Sequence, residues 1–163
     1  MASPCVASPD RVALPDLAAT ERWARFLGRH LQAGDVVTLQ GNLGSGKTTF
    51  ARAILQSYGV KGDIPSPTYT LLQTYETDHG LVVHMDLYRL KSALELDEIG
   101  WEDALHDGIA LIEWPERAEV YLPEDRLNIL FSIDQDLGRS SLWTGEGLWR
   151  DRLAKLLKER PHE

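Results

Sequence analysis

The octet Gly41-Asn42-Leu43-Gly44-Ser45-Gly46-Lys47-Thr48 constrains this chain more than any other feature of it. It follows the apolar-rich run Val36-Val37-Thr38-Leu39-Gln40 and precedes Phe50, Ile54, Leu55 and Tyr58, an apolar stripe at helical spacing. Strand, glycine-rich turn and helix together make the phosphate loop G-x-x-x-x-G-K-[ST]. Each residue type in it has a physical task. Glycines let backbone N–H groups converge on an anion without Cβ clashes. The helix that follows points the positive end of its dipole at the same spot. Lys47 can reach the β- and γ-phosphates of a nucleotide, and the Thr48 hydroxyl can ligate a Mg²⁺ that bridges them.

The flanking pattern predicts an α/β domain with a mixed sheet. A helix opens at Pro15-Asp16, with Trp23, Leu27 and Leu31 on one face, and breaks at Ala33-Gly34-Asp35. Gly59 stops the helix behind the phosphate loop. After the turn Pro65-Ser66-Pro67, the runs YTLLQTY and LVVHMDLY read as strands joined by a hairpin at Thr77-Asp78-His79-Gly80. Ser92-Ala93-Leu94-Glu95 reads as a capping box for a helix ending near Gly100, and Trp101 to Leu105 as another short helical piece. Ile109 to Ile112 reads as a buried strand, and Pro115 opens a short helix. Leu127 to Ile133 is a strand, Asp134 to Arg139 a turn, and Ser140 to Trp143 its partner. Leu148, Trp149, Leu153, Leu156 and Leu157 close the chain as an amphipathic helix. Residues 1–12 read as a loose leader and 13–163 as one P-loop ATPase domain.

Net charge narrows the choice of partners. With 25 acidic and 17 basic residues the chain carries −8, a poor balance for a protein that grips nucleic acid by itself. Its N-terminus lacks the basic start and apolar centre of a secretory signal, and no run is long and apolar enough for a membrane span. The single cysteine, Cys5, cannot form an internal disulfide, in keeping with a cytoplasmic setting.

A phosphate loop needs a carboxylate at the end of a neighbouring strand to hold Mg²⁺ or its water. Asp86, ending LVVHMD, and Glu113, ending IALIE, both qualify on spacing. In Ser66-Pro67-Thr68-Tyr69-Thr70, prolines on both sides of Ser66 limit its freedom, and Thr68 can offer a hydroxyl to Mg²⁺ or a γ-phosphate. His84 lies inside a strand run, where a core or supporting role outweighs a catalytic one. Trp114 can cover the site, although an isolated aromatic is more often core. No cis arginine finger stands out, Arg52, Arg89 and Arg117 being only candidates, so turnover by the chain alone is expected to be slow. The guanine-reading N/T-K-x-D element is absent, and Asp97-Glu98-Ile99-Gly100 matches D-x-x-G only where a helix ends, so ATP is the expected nucleotide. A small-molecule kinase would need an acceptor site and an Arg-rich lid, and no lid-like insertion is visible; a module that binds ATP without turnover is the other alternative.

GNLGSGKTTF, SPTYTL, HMDLYRL and LIEWPE, in this order and spacing, resemble the bacterial TsaE family, also called YjeE, from about Leu14 to Arg139. The sequence departs from the family's usual pattern at Ser45, where Ala is usual, and at Met85, where Phe commonly precedes the Asp. The resemblance implies a P-loop NTPase-type three-layer sandwich with a mixed, mostly parallel sheet. It implies a Mg-dependent ATPase of the tRNA threonylcarbamoyladenosine pathway, with TsaD and TsaB as partners that hold most of the tRNA. It places phosphate contacts at Leu43, Gly44, Ser45, Gly46, Lys47, Thr48 and Thr49, and metal contacts at Thr48, Glu113 and Asp86. Lys47, Asp86, Glu113 and Thr68, the last in a switch-like loop, then carry catalysis; Thr20 and Glu116 resemble nucleotide-contacting positions, as does the Asp134 to Arg139 turn.

Overall fold

Val36, Val37, Thr38 and Leu39 are all buried, so the strand they form is covered on both faces. This is β2 (Val36–Gln40) in a computed structural model that describes residues 8–162; Cys5 and most of the expected leader lie outside the described residues. β2 pairs in parallel with β5 (Ile109–Glu113) on one side and β6 (Arg126–Ile133) on the other. β4 (Gly80–Asp86) continues the parallel set beyond β5. Antiparallel strands finish both edges: β3 (Leu72–Thr77) against β4, then β7 (Arg139–Glu146) against β6 and β1 (Asp10–Leu14) against β7. The seven-stranded order is β1-β7-β6-β2-β5-β4-β3.

Strand alternation splits the core in two. On one face Val37, Leu39, Leu111, Ile129 and Phe131 pack with three helices: α1 (Leu17–His30), α2 (Lys47–Ser57) and α5 (Trp149–Lys158). Trp143 sits edge-on to Trp23 at 5.5 Å and to Phe50 at 6.1 Å, tying β7 to α1 and α2. On the other face Val36, Val83, Met85, Ala110 and Ile112 meet shorter pieces: α3 (Leu94–Glu98), α4 (Trp101–Asp107) and the 3₁₀ segment Pro115–Tyr121. This second helical layer covers β2, β5 and β4. Beyond it, Leu130 and Ile133 of β6 are exposed.

Several boundaries differ from expectation. β1 starts inside the segment expected to be loose, because Asp10–Leu14 registers with Arg139–Trp143 and buries Val12 and Leu14. The strand expected from Tyr69 starts at Leu72; before it a turn closes with the Leu71 N–H donating to the Pro67 carbonyl at 2.8 Å. At the expected capping box, Ser92 Oγ accepts from the Leu94 N–H and the Glu95 carboxylate from the Lys91 N–H, each one residue off the reciprocal pattern. Among the described residues no helix is long and apolar enough to cross a membrane.

Candidate nucleotide site at the carboxyl edge of the sheet

β2 runs into the phosphate loop at Gly41, and only a residue without a side chain fits there. A Cβ would stand 2.7 Å from both the Phe131 carbonyl oxygen and Ser45 Oγ. The loop turns through Ser45 N–H to Asn42 C=O (3.1 Å) and passes into α2, whose first helical bond is Phe50 N–H to Gly46 C=O at 2.9 Å. Register then brings the acids in. β4 and β5 are parallel neighbours with Asp86 opposite Glu113, so both carboxylates stand at the strand ends where ligands of open α/β sheets bind. Both are buried. Like charges directly opposite one another repel, and a cation placed between them and the loop relieves that repulsion.

The two acids are held differently. Glu113 Oε1 accepts from the Thr48 hydroxyl at 2.7 Å, and Oε2 from His84 Nε2 at 2.6 Å. Asp86 Oδ2 accepts from Thr68 Oγ1 at 3.0 Å and from Ser66 Oγ at 3.5 Å, while Oδ1 accepts from the Tyr88 N–H at 3.0 Å. Lys47 Nζ donates to the Gly41 and Asn42 carbonyls at 2.6 and 3.0 Å and lies 4.5 Å from the centre of the Trp114 ring. Burial pushes the Lys47 ammonium below its ordinary pKa; the Glu113, Asp86 and Glu116 carboxylates pull it partway back. Trp114 adopts a left-handed backbone, φ 57°, directly before Pro115, a position that favours extended conformations. Such strain costs of order 1–3 kcal/mol and concentrates at functional sites. Here it sets the indole over Lys47 and 4.8 Å from the Tyr88 ring.

Lys47, Thr48, Ser66, Thr68, Asp86, Glu113 and Trp114 line a cleft of about 380 Å³. Of the positions singled out in the sequence, Leu43, Gly44, Gly46, Lys47, Thr48 and Thr49 form its floor. Thr20, Thr68, Asp86 and Glu113 line its walls. Ser45 instead turns its side chain beneath the loop, where Oγ is buried without a hydrogen-bond partner among the described residues. Glu116 faces a neighbouring depression with Thr38, Gln40 and Asn128. None of the three arginines named as finger candidates lines the cleft: Arg52 Nε donates to the Ile64 carbonyl, Arg89 lies over Tyr69 and Arg117 over Tyr88. The arginine that does is Arg139, whose Nη2 is 3.4 Å from the Gly44 carbonyl. Its signal was the family resemblance of the Asp134–Arg139 turn, not local pattern; the register of β7 with β1 and β6 carries the turn back to the loop. Asp16, also in the wall, caps α1 by accepting from the Ala19 N–H at 2.8 Å.

Thr48, Asp86 and Glu113 suit Mg²⁺. Among the described residues no three His, Cys, Asp or Glu side chains group to hold a metal alone. Mg²⁺ does not need such a cage, since it takes one or two carboxylates together with phosphate oxygens and water. The hydroxyl already bonded to Glu113 is the one the motif assigns to the metal.

The family model for "Threonylcarbamoyl adenosine biosynthesis protein TsaE" matches residues 14–141. The chain belongs to the TsaE family. Proteins named tRNA threonylcarbamoyladenosine biosynthesis protein TsaE are similar along most of it. The Treponema pallidum protein is 40% identical over 123 residues, 74% of this chain and 89% of its own length. The Bacillus subtilis protein is 33% identical over 129 residues, 78% and 80% of the two chains. With the Rickettsia felis TsaE identity reaches 47% over 98 residues, 60% of this chain but 57% of that protein. The crystal structure of YdiB from Bacillus subtilis superposes with a TM-score of 0.80 at 27% identity, covering 98% of this chain and all (100%) of that one. The TsaE match ends inside β7, so α5 is supported by the structural likeness and not by the family model.

Proposed function

We propose that this TsaE-family chain is a Mg-dependent ATPase of tRNA threonylcarbamoyladenosine biosynthesis, working in the cytoplasm as a nucleotide switch on a TsaB–TsaD pair. One observation carries the reading. A phosphate loop, two strand-end carboxylates and the hydroxyl of Thr68 converge on one cleft, with Thr68 tied to Asp86. Bound Mg²⁺ would supply charge neutralisation to the phosphates.

The chain's own groups do the rest. Loop N–H groups and the amino end of α2 cradle the phosphates. The Lys47 ammonium spends two of its three donors on the Gly41 and Asn42 carbonyls, which leaves the third for a phosphate. Thr48, Glu113 and Asp86 would hold the metal. Ser66 and Thr68 share a 2.8 Å hydrogen bond and both reach Asp86, so the loop around them is coupled to an acid of the site. A γ-phosphate that recruits Thr68 reorders that loop, and its loss on hydrolysis releases it. Tyr69, on this loop, is 83% exposed and available to a partner that reads the loop's state.

The test is ATP turnover by the purified chain alone, then with TsaB and TsaD, with tRNA added last. Turnover should be slow alone and rise with the partners. Hydrolysis by the isolated chain at the pace of a metabolic enzyme would end the partner-dependent reading.

A further inference from the structure

We propose that His84 is a positioning residue for the metal site: its imidazole clamps Glu113 so that one carboxylate oxygen stays turned toward Thr48. The inference rests on the metal reading of Glu113 above.

His84 interrupts the apolar interior of β4, where Val82, Val83 and Met85 are buried. It faces Leu111 across β5, and two residues on Asp86 faces Glu113. His84 and Glu113 are therefore diagonal neighbours on one face of the sheet, within reach of long side chains. The ring is fully buried (0%), and its polar contact is the 2.6 Å bond from Nε2 to Glu113 Oε2. Nδ1 has no partner. A leucine or phenylalanine would fill this space without burying a bare polar atom, so the single bond to Glu113 is what the ring contributes that they could not. An ionised carboxylate only accepts, which puts the proton on Nε2.

The consequence lies in Glu113. A carboxylate turns freely about its last torsion. With Oε2 fixed from inside the sheet, Oε1 is presented to the Thr48 hydroxyl. Asp86, by contrast, takes its side-chain donors from the Ser66–Thr68 loop. The clamp thus separates a fixed acid, Glu113, from an acid coupled to the loop, Asp86. Outer partners of this kind commonly support metal affinity by about 10–100-fold.

The experiment measures binding of a non-hydrolysable ATP analogue to the full chain by calorimetry, first in chelator and then across a Mg²⁺ titration. His84→Leu should raise the Mg²⁺ midpoint by about 10–100-fold while leaving metal-free affinity within about threefold. His84→Gln, whose amide N–H can stand in for the Nε2 donor, should restore most of the loss. In a Glu113→Gln background neither change should move the midpoint further, and a further shift there overturns the clamp. A Mg²⁺-dependent wild type with an unaltered midpoint in His84→Leu overturns the clamp. So does an equal loss of metal-free and metal-dependent binding, the mark of general damage. Wild-type binding indifferent to Mg²⁺ overturns the metal reading of Glu113, and the clamp with it.

Discussion

Lys47 sits near three carboxylates and beside an indole, yet both of its hydrogen bonds go to the loop that carries it. Its charge is a cost of folding that ligand binding would recover. Since the unfolded chain holds this proton more tightly, stability contributed through Lys47 rises with pH in the alkaline range just below its ordinary value of 10.5. Replacing it with methionine keeps the stem and removes the charge. Lys47→Met should weaken binding of an ATP analogue by at least about tenfold, the loss expected for a hydrogen bond from a charged group. It should move Tm by no more than about 4 °C, because Gly41 and Asn42 line a second depression, beside Leu130 to Ile133, that water can enter. Calorimetry and a thermal melt check both halves, and unchanged affinity would remove Lys47 from the cradle.

Among the elements, α5 reports on stability without touching the cleft. It packs on β7 so closely that a Cβ on Gly145 would run into the Trp149 backbone carbonyl. Gly145→Ala must displace the start of α5, at a cost of about 1–3 kcal/mol for an overpacked site, or roughly 2–12 °C in Tm for a chain of this size. Nucleotide affinity should be unchanged, and a parallel loss of binding would mean that α5 is coupled to the site. The elements also show what the sequence makes legible. β2 and α2 are declared locally, one by a buried apolar run and the other by the loop that precedes it, and both stand where their residues predict. β1 is not so declared: Asp10–Leu14 becomes a strand through β7, more than a hundred residues away. The same distinction governs the site. Gly41 to Thr48 form one continuous motif, and the two acids each end a strand. The His84–Glu113 bond and the approach of Arg139 depend on register between distant strands, for which local pattern carries no signal. Leu71 and Trp114 hold positive φ of 64° and 57° despite residue types that disfavour it, so tertiary packing overrides local preference on either side of the cleft.

Across the whole molecule, the sheet divides into a half covered on both faces and a half covered on one. The cleft lies over the carboxyl ends of the parallel strands in the centre, where helices on both faces hold β2, β5 and β4 in place. Rigidity there suits a site that must keep two carboxylates in register. The charge of the whole chain is a separate constraint. At −8 it opposes a polyanion, and an acidic cleft occupied by a nucleotide and Mg²⁺ offers tRNA no compensating surplus of cations. If the chain acts on tRNA only through partners, its own affinity for tRNA at about 150 mM salt should fall below the ordinary non-specific range, with Kd weaker than roughly 10⁻⁴ M. Fluorescence anisotropy with labelled tRNA, repeated from low to physiological salt, measures this directly. The expected curve is flat, with signal appearing when TsaB and TsaD are added. Micromolar binding by the chain alone, with a steep dependence on salt, would place a basic tRNA-reading surface on this protein and contradict the division of labour proposed for it.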